Sequence, residues 1–143
     1  MSALPQGYEL VDDQALIDPV AAHAFLTRSY WAEGIALAKV EQAIRNSLCV
    51  AVRHDGQQVG MARVVTDYVA IAYLNDVHVL EAHRGKGLSR AMVAHLQAHP
   101  DLQGVRRWML LTADAQGLYT QLGWSPAAQP EWVMERLFVD AYR

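Results

Sequence analysis

Seven residues in mid-chain, Arg84-Gly85-Lys86-Gly87-Leu88-Ser89-Arg90, combine the ingredients of an anion site. Three are cations and two are glycines. The positions Leu88, Ala91, Met92, His95 and Leu96 recur as one helical stripe. The first N–H groups of a helix have no acceptor within it and lie at the positive end of its dipole, so a loop that opens a helix attracts phosphate. Gly85 and Gly87 tolerate positive φ and let a ligand approach the main chain. Arg84, Lys86 and Arg90 add positive charge around the turn. The expected ligand is a phosphate or pyrophosphate held largely by backbone amides.

The surrounding elements can be read from periodicity and punctuation. Tyr8–Val11 reads as a short first strand. Asp18-Pro19 starts a helix running to about Thr27, with Asp18 as cap and Pro19 in the first turn. That helix is expected to pack through Val20, Ala24 and Phe25. Leu37, Val40 and Ile44 mark a second amphipathic helix over Ala36–Asn46. Leu48–Arg53 and Val59–Thr66 are Val-rich runs joined by His54-Asp55-Gly56-Gln57, a hairpin signal. Ala70–Leu80 gives a third adjacent strand, and the glycine loop and its helix come next, stopping at Pro100. Arg107–Thr112 reads as a buried strand. A short helix covers Leu118–Leu122 and ends at Gly123, and Trp132–Val139 is expected to close the sheet. The order β-α-α-β-β-β-α-β-α-β predicts an α/β fold in which an antiparallel meander feeds one βαβ crossover.

Composition narrows the function. The 143 residues suit one domain, are 52% hydrophobic and 19% charged, and carry a net charge of −3, so the basic loop is a local feature and no global field favours nucleic acid. Cys49 is the only cysteine, which excludes an internal disulfide and fits a reducing, cytoplasmic compartment. It lies in the apolar run Leu48–Val52 and reads as an inert core thiol. No charged leader with an apolar segment behind it opens the sequence, and no run approaches membrane-spanning length.

Three phosphate-binding patterns compete for the loop. A Walker A loop needs Gly, four residues, then Gly-Lys-Ser/Thr, whereas Lys86 is followed by Gly87 and no earlier glycine has the spacing. A dinucleotide fingerprint from Gly85 would meet Arg90 at its sixth position, after a hairpin meander instead of βαβ repeats, although Asp114 could imitate the ribose-binding acid. The third pattern fits the whole chain. Arg84, Gly87 and Ser89 resemble the Gln/Arg-x-x-Gly-x-Gly/Ala signature of the GNAT (GCN5-related N-acetyltransferase) family, with serine at the last position. Leu118–Trp124 (LYTQLGW) resembles that family's Leu-Tyr-x-x-x-Gly-Phe segment, with Trp124 for Phe. The resemblance spans about Tyr8 to Leu137.

It implies a single-domain GNAT-like fold over residues 1–143, with a mixed sheet of about six to seven strands, mostly antiparallel around a central parallel pair, and about four helices. It implies transfer of an acetyl group from acetyl-CoA to a primary amine by direct attack in a ternary complex, with no metal. Gly85, Lys86, Gly87, Leu88, Ser89 and Arg90, with Arg84, would then cradle the pyrophosphate. The backbone of Val77, His78 and Val79 would line the pantetheine arm, with a splay or bulge there aiming an N–H at the thioester. Tyr119 would be the acid for the leaving thiolate, and Asp114 would contact the cofactor. Relatives place a glutamate on the fifth strand as base, but Arg107–Thr112 has no acid. Asp76 is the base expected instead, with His78 and ordered water as the alternatives. For the acceptor, Tyr30, Trp31, Asp67 and Tyr68, helped by Glu33 and Tyr73, offer aromatic walls and negative charge for a cationic amine, a small molecule or amino-acid-like compound first, with a protein N-terminus or lysine as the alternative. A cofactor-binding sensor without turnover would keep the same loop, and a homodimer is left open.

Overall fold

A computed structural model describes residues 4–143; residues 1–3 of the expected domain lie outside the described residues. Five strands form one sheet in the order β1-β2-β3-β4-β5: β1 Tyr8–Val11, β2 Leu48–His54, β3 Gln57–Thr66, β4 Ile71–Val79 and β5 Arg107–Met109. All neighbours are antiparallel except β4 and β5. Four helices complete the fold: α1 Pro19–Leu26, α2 Leu37–Arg45, α3 Leu88–Gln97 and α4 Gln116–Gln121.

Local chemistry accounts for the breaks. His54 pairs with Gln57 across Asp55 and Gly56, whose φ angles of 51° and 78° are those of a two-residue mirror-image turn. Asp18 caps α1, its carboxylate accepting from the Val20 and Ala21 amides at 2.9 and 3.2 Å. The expected inward face of α1 is rotated, however. Ala22 and Leu26, four residues apart on one face, are buried and Phe25 is half-buried beside them, while Ala24 and Val20 (61%) are exposed on the other side of the helix.

The sheet separates two cores. On one face α3 sets Leu88, Met92, Val93 and Leu96 against Val50, Val52, Ala62, Val64, Ala72 and Leu74, and Tyr119 of α4 closes that layer. On the other, α1 and α2 set Ala22, Leu26, Val40 and Ile44 against Cys49, Ala51 and Met61. Burial pushes the Cys49 thiol up to about 11, which leaves it inert at neutral pH.

Two features of the sheet differ from the sequence expectation. It has five strands, and the parallel pair lies at its edge. Trp132–Val139 joins no ladder: Pro130–Trp132 is a 3₁₀ turn, and residues 133–139 are exposed and outside any strand. Pro126 and Pro130 cannot donate to a ladder. The end of the chain is drawn instead to α2, where the Lys39 ammonium donates to the Ala141 carbonyl at 2.8 Å. β5 is also shorter than the run Arg107–Thr112, because its pairing with β4 stops at Tyr73–Met109.

Candidate active site

The stop in that pairing makes the site. β4 continues six residues past Tyr73 to Val79 with no partner on its β5 side, so a wedge opens between the strands toward the glycine loop. At the mouth of the wedge the β3–β4 register slips, Met61 opposing His78 and Arg63 opposing Asn75. Two residues of β4, Asp76 and Val77, therefore face one of β3, a bulge with Asp76 at a left-handed φ of 56° and its amide donating to Asn75 Oδ1 at 2.8 Å. The family resemblance implies a splay or bulge at Val77–Val79; the bulge is present at the start of that stretch, on Asp76–Val77. Farther along the pair Gly60 opposes Val79, where a Cβ would lie 2.7 Å from the His78 carbonyl, so no side chain fits there.

At the other end of the wedge, Gly85 and Gly87 have φ of 76° and 75°, and a Cβ on either would meet nothing within 4 Å. Among the described residues, no backbone N–H from Gly85 to Arg90 donates to a protein acceptor; the first to do so is Ala91, to the Gly87 carbonyl. The result is an open cradle of unpaired amides at the mouth of α3, with Lys86 and Arg90 exposed beside it. This is a shape and donor set that a pyrophosphate fits. Arg84 does a different job from the other cations, its Nε donating to the Val79 carbonyl at 3.0 Å and tying the loop to the end of β4.

Around the bulge, Asp76 is committed on both oxygens. Trp31 Nε1 donates to Oδ1 at 2.8 Å and Arg63 Nε to Oδ2 at 2.6 Å, with the carboxylate and guanidinium side chains only 9% and 12% exposed. His78 stacks on Phe25, with ring centroids 4.4 Å apart and planes within 9°. Its Nδ1 donates to the Asp76 carbonyl at 2.8 Å, which fixes the tautomer and leaves Nε2 with its lone pair. Burial pushes the His78 pKa down, against the pull of the Asp76 backbone and charge, so the ring is neutral at pH 7.

Tyr119 stands on α4 across the wedge, its ring 5.9 Å from Trp124. Burial raises its pKa, helped by Tyr30 and by the Asp114 charge, so the phenol stays protonated. No buried side-chain N or O among the described residues lacks a partner, and the Tyr119 hydroxyl has none, so its tip reaches solvent. Tyr30 spans from the α1–α2 connection to this side, where its hydroxyl accepts from the Ala113 amide at 3.4 Å. Asp114 is exposed next to the start of α4, near enough to Tyr119 to affect it.

Tyr30, Trp31, Asp76, His78, Tyr119 and Asp114 are thus gathered around one opening. Asp67 and Tyr68 are not. They sit in the β3–β4 turn, ahead of Ile71, and Ile71 itself is roughly 17 Å from Asp76 along an extended strand. Asp67 Oδ1 there accepts three amides, from Val69, Ala70 and Ile71 at 2.9, 2.8 and 3.2 Å, which makes it a turn-former. Sequence reasoning missed Arg63 and Phe25. The signal for Arg63 was available: a cation between Ala62 and Val64 in a buried strand needs a buried anion.

The sequence pattern of the Acetyltransferase (GNAT) family matches residues 14–124. The chain belongs to that family. A candidate acetyltransferase of Gibberella zeae is 31% identical over 135 residues, covering 78% of this chain and 75% of its own length. The crystal structure of a candidate GNAT-family acetyltransferase from Xanthomonas campestris pv. campestris superposes with a TM-score of 0.92 at 44% identity, over 98% of this chain and 99% of that one. The fold is also shared at 13% identity with a predicted acetyltransferase from Clostridium acetobutylicum solved with acetyl-CoA, at a TM-score of 0.67 over 95% and 98% of the two chains. Among the described residues no helix is long and apolar enough to cross a membrane, and no cluster of three or more metal-ligating side chains occurs.

Proposed function

We propose that this GNAT acetyltransferase, taken as one catalytic domain over residues 1–143, moves an acetyl group from acetyl-CoA to the primary amine of a small molecule, by direct attack. The observation that carries the reading is the wedge. It joins an open amide cradle to a bulged strand with a free edge, as an extended cofactor with a pyrophosphate at one end requires. The amides of Gly85 to Arg90, with Lys86 and Arg90, hold the pyrophosphate, and Arg84 keeps the loop on β4. Val77, His78 and Val79 offer their main chain to the pantetheine arm. Acetyl-CoA supplies an activated acyl group. The bulge at Asp76–Val77 turns main-chain donors toward the carbonyl oxygen that becomes negative during attack.

The acceptor ammonium must lose a proton before its nitrogen forms the new C–N bond. Asp76 would forfeit its Arg63 ion pair by accepting one, so its part is to hold Trp31 and Arg63 in place around the acceptor site. His78, neutral and with Nε2 free, takes the proton. The C–S bond then breaks, and Tyr119 donates to the sulfur as its charge develops, leaving an amide and free thiol. Tyr30 and Trp31 wall the acceptor site, while Asp67 and Tyr68 stand apart from it in the β3–β4 turn.

The test is thiol release from acetyl-CoA across a library of small amines. At least one amine is expected to raise the rate well above the amine-free control. A rate equal to that control for every amine would favour a cofactor-binding sensor over an enzyme.

A further inference from the structure

Beside the acceptor opening lies a cavity to which acetyl transfer itself gives no part. It occupies about 370 Å³ between α2 and β3, and Lys39, Gln42, Asn46, Ser47 and Arg63 line it. Those five side chains are polar, and no acid is among the lining residues. Arg63 follows Met61 by two residues on β3 and so points to the face that α1 and α2 cover, the face of Asp76 and His78.

Arg63 belongs to both spaces. Its Nε donates to Asp76 Oδ2 at 2.6 Å and its Nη1 to Ser47 Oγ at 3.0 Å. Ser47 is itself oriented, its hydroxyl donating to the Ala43 carbonyl at 2.6 Å. Nη2 has no acceptor among the described residues, and no buried side-chain nitrogen there goes unpartnered, so Nη2 is open to solvent. Lys39 brings an uncompensated charge. Its Nζ donates to the Ala141 carbonyl at 2.8 Å and stands 5.4 Å from the centre of the Tyr142 ring, two neutral partners that hold it in place. No carboxylate pairs with it among the described residues. Because Asp76 balances Arg63, the lining carries one net positive charge.

Two features could oppose an anion there. The first is the negative end of the α2 dipole, but the carbonyls of Gln42, Ala43 and Ile44 are covered by Asn46 Nδ2, Ser47 Oγ and Gln14 Nε2. The second is Glu135, whose charge is felt at Tyr73 but which does not line the cavity.

We propose that this cavity holds a carboxylate of the acceptor, so that the acetylated molecule is an ω-amino carboxylate with its amine and its anion at opposite ends. The assignment rests on the acetyl-transfer reading and narrows its substrate. Arg63 Nη2 and the Lys39 ammonium supply charge-assisted donors, with the Gln42 side chain beside them. One net positive charge matches a monoanion. Met61 opposes His78 and Arg63 lies two residues farther along β3, so the anion sits roughly 7 Å from the base at strand spacing. An α-amino acid, whose amine and carboxylate share one carbon, does not span that distance. A chain of several methylenes does.

The test compares turnover of straight-chain ω-amino carboxylates with that of their ω-amino primary amides, which differ only in charge at the far end. The carboxylate is expected to lead by ~10-fold or more in kcat/KM, through KM, the scale of one charge-assisted hydrogen bond. Lys39→Gln and Gln42→Glu change exposed positions of α2, so both should melt like the parent. Each should shrink the lead severalfold, Gln42→Glu the more strongly because it sets a like charge on the wall. Equal kcat/KM for carboxylate and amide in the parent overturns the proposal. So does a lead that both variants leave untouched, or one as large for glycine as for the longer chains. Thiol release from neither series contradicts the acetyl-transfer reading instead. Calorimetry of the same compounds with the CoA-loaded protein then decides the cavity: tighter binding of the carboxylate supports the assignment, and an amide that binds equally well overturns it.

Discussion

At the scale of single residues, the site separates groups that look interchangeable in sequence. Asp76 and His78 are two positions apart on β4, but one carboxylate is spent on Trp31 and Arg63 while the imidazole keeps a free nitrogen. Asp76→Asn should therefore weaken acceptor binding and leave the pH profile of kcat in place. His78→Gln should lower kcat most at low pH and recover as the amine deprotonates itself. Overlapping profiles for His78→Gln and the parent would remove His78 as base. The same histidine makes a prediction for stability. Its folded pKa lies below the unfolded 6.5, so the unfolded chain takes the proton first as pH falls. The stability it contributes is complete above 6.5 and is lost toward the lower folded value, a loss that His78→Gln should reduce in melting curves. Tyr119→Phe keeps the ring against Trp124 and removes only the hydroxyl. Acetyl-CoA binding should survive while turnover falls ~10²-fold, the scale of losing a general acid, with no recovery at high pH. A wild-type rate would show that water protonates the thiolate.

At the scale of elements, the glycine loop and the first turn of α3 act as one unit, and the test must spare their backbone. Gly87 has φ 75°, where any side chain is strained, so a change there mixes folding with binding. Ser89 lies within α3 and is half-buried. Ser89→Glu fills the cradle with a negative charge at a helix start that tolerates acids. It should abolish acetyl-CoA binding by calorimetry with little change in melting temperature; retained affinity in the folded variant would move the anion site elsewhere. This unit was legible in the sequence, because glycine spacing, cations and helical stripe all report on the same backbone. So was the hairpin at Asp55-Gly56. The closing strand was not, since Trp132–Val139 has the composition of a strand and strand formation depends on an edge to pair with. Nor was the limit of β5 at Met109, which is where its pairing with β4 stops. The place of Asp67 and Tyr68 was equally hidden, because sequence order does not say how far a hairpin tip stands from a bulge in the same strand.

At the scale of the whole molecule, a chain of net charge −3 carries one local exception suited to a polyanion, the basic loop at the end of β4. Two cores, one on each face of the sheet, hold the ends of the wedge: the α3 layer carries the cradle and Tyr119, and the α1–α2 layer carries Trp31 and the Phe25 partner of His78. The central claim is that the wedge is built for acetyl-CoA and not for nucleotides in general. Thermal melting with acetyl-CoA, ATP and NADH in parallel tests it most directly. Binding to the folded state alone stabilises by about 2.7 kcal/mol at a hundredfold excess over Kd, which for a chain of this size is a rise on the order of 5–10 °C. Acetyl-CoA is expected to give that rise and ATP and NADH to give none; equal stabilisation by either nucleotide, or none by acetyl-CoA, would contradict the account.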